Sequence, residues 1–217
     1  MPTALGNHEK TLPPGVVCRP CNNGPLSVLD QHLCNFAPVA LMRVYLDLPG
    51  RDGKPPVARC GNAHVIRQEN DGILIDCKNG KPAMRPKAGV PNQHTLTLEG
   101  RRMTARYTRD LVRSLYKITL GLVYLDQGRH VAMGERFDSA RQMILGQSAF
   151  SGYLGMVRES VPHPEAHFTY QFVEITGEPT VTIHADLYGV QMLTDLDFRR
   201  VVDRSRVPLD RFALMEF

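Results

Sequence analysis

Two cysteines stand three residues apart in the run Cys18-Arg19-Pro20-Cys21-Asn22-Asn23-Gly24-Pro25. Thiolates at this spacing make half of a tetrahedral zinc site. The same spacing suits a thiol redox pair. That chemistry asks for a strand running into a helix, and the residues before Cys18 carry no strand pattern. It also suits two ordinary cysteines in a turn. His8 and His32 are the nearby candidates for further zinc ligands, while Cys34, Cys60 and Cys77 are single. Five cysteines is an odd number, which speaks against a disulfide framework. The cysteines are then core residues, metal ligands or nucleophiles.

A second set of residues is cationic. Arg102, Arg106, Arg109, Arg113 and Lys117 follow one another in steps of three or four. At about 100° per residue they fall within roughly a quarter of a helix circumference, with Asp110 on the same side. Residues 101–158 hold ten Lys and Arg against four Asp and Glu, and residues 159–217 hold five against ten. The net charge of +4 hides this asymmetry. A polyanion such as DNA is drawn to such a stripe by its phosphates. A solvated helix face balanced by the acidic tail has the same composition.

Other residues carry weaker signals. Tyr107, Tyr116 and Tyr124 lie around the same helix, where burial competes with stacking on bases. Scattered methionines read as core filling. His163 and His167 are four apart, but Pro162 and Pro164 break the helix that would align them. Ser148 and Ser151 have no nucleophile elbow, and the glycines form no phosphate loop.

The elements that must position these residues follow from periodicity. Asn22-Asn23-Gly24 is turn chemistry, and Pro25 suits a first helical turn. Leu26, Leu29 and Leu33 predict a helix over about 25–33. Residues 36–48 read as helical after Pro38, and 49–56 as a linker. Residues 57–99 read as strands, with hairpin turns at Asn70-Asp71-Gly72 and Asn79-Gly80. Leu111, Leu115, Ile118, Leu122 and Leu125 predict a long amphipathic helix over 104–127, stopped by Gly128. A short helix over Ser139–Leu145 follows. Two strand-like runs, Phe168–Ile175 and Thr180–Met192, are joined by Gly177-Glu178-Pro179.

Hydrophobic residues at 42% and charged residues at 22% fit a soluble folded chain. No apolar run nears the roughly 20 residues that span a bilayer. The strongest candidate, Phe36–Leu48, contains Arg43 and Asp47. With no signal-peptide pattern, a cytoplasmic location is expected.

The segment Leu12-Pro13-Pro14-Gly15-Val16-Val17-Cys18-Arg19-Pro20-Cys21-Asn22-Asn23-Gly24-Pro25-Leu26-Ser27-Val28-Leu29-Asp30 resembles the second half of the HNH endonuclease motif, in its zinc-bearing bacterial branch. Arg113-Ser114-Leu115-Tyr116-Lys117-Ile118-x-Leu120-Gly121-Leu122 resembles a helix that follows the motif in some of these proteins. The resemblance implies that Cys18 and Cys21 are the second pair of structural zinc ligands. It implies that Asn22, or less directly Asn23, completes a catalytic site for Mg²⁺ or another divalent metal. Met1-Pro2-Thr3-Ala4-Leu5-Gly6 resembles the segment that follows the family's Glu-His pair. By that register the general base and the first Cys-x-x-Cys fall upstream of Met1, through a start codon placed too far downstream or a natural truncation. His8-Glu9 comes too late and in reversed order.

The expected fold class is α+β. A partial ββα-metal, treble-clef-like module over 1–48 precedes a larger α+β body over 49–217. The body comprises hairpins in 57–99, the basic helix over 104–127 and strands in 168–192. The expected function is metal-dependent hydrolysis of DNA phosphodiesters, inactive as written if the base is missing. The alternative is a non-catalytic zinc- and nucleic-acid-binding protein. Neither a small-molecule cofactor nor an oligomeric state is indicated.

Overall fold

The structure is a computed structural model. It describes residues 11–50, 53–61, 63–68, 72–77, 83–86, 88–89, 94–97, 104–148, 152–175, 178–196 and 210–216. Three helices come first: α1 (Arg19–Asn23), α2 (Pro25–Cys34) and α3 (Ala37–Tyr45). Prolines stand in the first turn of each, where the missing N–H costs no hydrogen bond. Strands β1 (Val57–Cys60), β2 (Ala63–Arg67) and β3 (Ile73–Cys77) form an antiparallel meander. Strands β4 (Ala83–Pro86) and β5 (His94–Thr97) pair separately. The long helix α4 (Ala105–Gln127) follows, then α5 (Arg129–Ala132) and α6 (Asp138–Ile144). The remaining strands are β6 (Tyr153–Val157), β7 (Ala166–Ile175), β8 (Glu178–Leu187), β9 (Val190–Asp195) and β10 (Phe212–Glu216). They form a five-stranded antiparallel sheet in the order β10-β6-β9-β8-β7.

Helix α4 organises the main core. Thr104 caps it by accepting the Tyr107 N–H at 3.2 Å. Gly128, at φ +85°, ends it. Leu111, Val112, Leu115, Tyr116 and Val123 are fully buried. They are not on one stripe, because α4 is covered on more than one side. Val181, Ile183, Ala185 and Leu187 alternate inward along β8 and close one side. Leu26, Leu29 and Leu33 of α2 close another. Each buried leucine contributes about 1.5–3 kcal/mol by leaving water. A smaller cluster sits between α3 and the meander: Ala40, Val44, Ala58, Cys60 and Val65.

These findings revise several expectations. The class is mixed α and β, with antiparallel sheets and one long helix. The helix after the cysteines is present, but Asn22 and Asn23 belong to α1 and only Gly24 separates it from α2. Residues 11–17 form no strand, so no ββα unit lies within the described part of 1–48. Helices α2 and α4, on either side of the division expected at residue 48, share one core. The run Thr180–Met192 is two strands, broken at Tyr188-Gly189 with φ +59° and +98°. Gly189 has no substitute there, since a Cβ would collide with the Val161 carbonyl oxygen. Strands β6 and β10 carry no sequence signal comparable to the others. Asn79-Gly80 lies outside the described residues, and β3 and β4 it would join belong to different sheets.

Candidate functional site

The cysteine turn is built by local chemistry. Cys18 is the extended cap of α1, and its Sγ accepts the Cys21 N–H at 3.2 Å. An N–H aimed at sulfur stabilises negative charge there. Gly24 joins α1 to α2, and a Cβ on it would stand 2.8 Å from the Pro20 carbonyl oxygen. That close approach requires glycine. Ser27 Oγ donates to the Gly24 carbonyl at 2.8 Å and steadies the entry to α2. Cys18 is exposed, while Cys21 is half-buried against the main core beside Val17. Asn22 and Asn23 are exposed.

The two sulfurs converge and are paired as a disulfide, with Cα atoms 5.3 Å apart. The odd cysteine count argued against a framework of such bonds, and a single local bond is not one. Their donor set, when reduced, fits half of a tetrahedral zinc site. Among the described residues no third His, Cys, Asp or Glu joins them. Among the described residues no cluster of three or more His, Cys, Asp or Glu is present that could hold a divalent metal. His8 and Glu9 lie outside the described residues. Cys34 is half-buried near Arg43, and burial pushes its thiol up. Burial does the same to Cys60, in the smaller core.

The cationic stripe divides into two parts. Arg106 and Arg109 are exposed. Arg113 instead pairs with Asp110 at 2.8 Å and donates to the Ile144 carbonyl at 2.8 Å. Lys117 holds Asp30 and also donates to the Leu26 carbonyl at 3.1 Å. Arg102 lies outside the described residues. The expected solvent face therefore exists only over the first part of α4. Helical spacing alone marked all four as equivalent, and the acids that engage two of them come from α2 and from the stripe itself.

Near the free arginines, His32 of α2 lies 3.6 Å from Asp110, with the Tyr107 ring edge-on to it. This pairing went unread, because it joins residues far apart in sequence. Tyr116 is fully buried, so it offers no base-stacking surface. His163 and His167 turn to separate carboxylates, Asp186 at 3.0 Å and Glu165 at 2.7 Å. A buried Tyr188 hydroxyl with no hydrogen-bond partner among the described residues is pushed up to about 12 by burial.

Among the described residues, no helix is long and apolar enough to cross a membrane. Compared with known proteins, the chain matches no family model, no curated protein and no solved structure.

Proposed function

We propose that this chain is an HNH-type, DNA-directed protein whose Cys18–Cys21 turn is a structural zinc half-site and whose DNA-holding cations are Arg106 and Arg109. The observation that carries this reading is the convergence of the two sulfurs on a tight turn that opens α2. The motif resemblance then supplies the chemical class, phosphodiester hydrolysis.

In this reading the chain's own residues bind and orient. Reduced Cys18 and Cys21 hold zinc, which braces the turn. Arg106 and Arg109 take phosphates, fixing the position of the duplex without reading its sequence. Arg113 and Lys117 keep the same helix docked rather than touching DNA. Asn22 stands exposed beside the pair as the polar group nearest a reacting phosphate. A divalent metal held there would supply charge neutralisation at that phosphate.

The experiment is nicking of supercoiled plasmid by the purified chain with Mg²⁺ or Mn²⁺. Cleavage lost in Asn22→Ala supports the nuclease. DNA binding without cleavage, together with bound zinc, supports the non-catalytic alternative. Neither binding nor cleavage ends both readings.

A further inference from the structure

We propose that Cys18 and Cys21 are a reversible thiol–disulfide centre that exchanges with small thiols and disulfides. The claim rests on the paired sulfurs, not on the metal reading, although the two share residues. The Cα separation of 5.3 Å lies within the roughly 4.4–6.8 Å that a disulfide spans without backbone movement. Opening and closing the bond therefore leaves the turn and α2 in place.

The two sulfurs are unequal in the way exchange requires. Cys18 is exposed and meets a solution partner first. Cys21 is half-buried against the core and is less open to a solution partner. The Cys21 N–H lies 3.2 Å from Cys18 Sγ, the sulfur that attacks. Among the other cysteines, burial holds the Cys34 and Cys60 thiols up, away from the reactive thiolate form.

The chemistry balances in two exchanges. The Cys18 thiolate attacks a small disulfide, forms a mixed disulfide and expels one small thiolate. The Cys21 thiolate then attacks Cys18 Sγ, closing the protein bond and expelling the second. The dithiol is oxidised by two electrons and the small disulfide is reduced to two thiols. Two small thiols run the sequence backwards. If the pair also holds zinc, which rests on the function proposed above, the two sulfurs would be available to the metal only in the reduced form.

The test uses the full chain, reduced with dithiothreitol, desalted into EDTA and exposed to glutathione disulfide. Samples are quenched in acid, alkylated with iodoacetamide and read by peptide mass spectrometry. The expected result is joint loss of alkylation at Cys18 and Cys21, restored by dithiothreitol. Cys21→Ser should trap glutathione on Cys18. Cys18→Ser should leave Cys21 modified more than about tenfold slower, as its lower access requires. Continued alkylation of both cysteines in the wild type overturns the proposal, as does glutathione on each without a bond between them. The wild-type measurement needs no variant to fold. Zinc uptake by the reduced chain without disulfide closure overturns this inference and keeps the metal reading; closure without zinc uptake does the reverse.

Discussion

Lys117 holds both carboxylate oxygens of Asp30 at 2.7 Å, fastening the central helix to the helix that the cysteine turn opens. The pair is partly buried, so losing one member strands the other in poor solvent. Lys117→Met should lower stability by about 1–3 kcal/mol in urea unfolding. Asp30→Leu combined with Lys117→Met should recover most of that loss. A double variant as weak as the sum of the singles would show that the two side chains do not interact.

The free and the engaged arginines should separate cleanly in DNA binding. Replacing Arg106 or Arg109 with Ala should reduce the slope of log affinity against log salt by about 0.9 each. Replacing Arg113 should leave that slope alone and reduce stability instead, because its partners are Asp110 and the Ile144 carbonyl. Equal slope changes at all three positions would place Arg113 on the DNA surface.

Leu33 is fully buried in the core that α2 shares with α4. Leu33→Ala should cost about 2–5 kcal/mol and shift a single unfolding transition. If residues 1–48 form a separate unit, calorimetry will instead show one of two transitions moving while the other stays.

His184 couples stability to acid. Burial lowers its proton affinity, Arg211 adds to this and Asp186 opposes it. The unfolded chain, with the ordinary value of 6.5, binds the proton first as pH falls. The contribution to stability is complete above that value and is lost as pH drops from it toward the folded value. His184→Gln should therefore lose less stability between pH 7 and pH 5 than the wild type. The difference is bounded by one proton, about 1.4 kcal/mol per pH unit. Identical pH dependence in the two proteins would remove His184 from the acid response.

Local patterns were legible in the chain and long-range ones were not. Leucine spacing placed α2 and α4 within a residue or two of their bounds, because helical periodicity is written in neighbouring positions. Gly128 marked the helix end by the positive φ that it adopts. The same periodicity did not show that Arg113 and Lys117 are engaged by Asp110 and Asp30, since spacing reports which face a residue shares and not what packs against that face. Tyr188 at φ +59° concealed the β8–β9 turn, because turn chemistry favours Asn, Asp or Gly at such positions. The Cys18–Cys21 turn was readable as a unit, down to its glycine. Its oxidation state was not, because spacing serves a metal and a disulfide equally.

The most direct measurement is the zinc content of the reduced, full-length chain, by elemental mass spectrometry after dialysis against zinc-free buffer. Zinc bound by the wild type above the level of Cys18→Ser and Cys21→Ser is the predicted result. Zinc at the same trace level in all three proteins would contradict it.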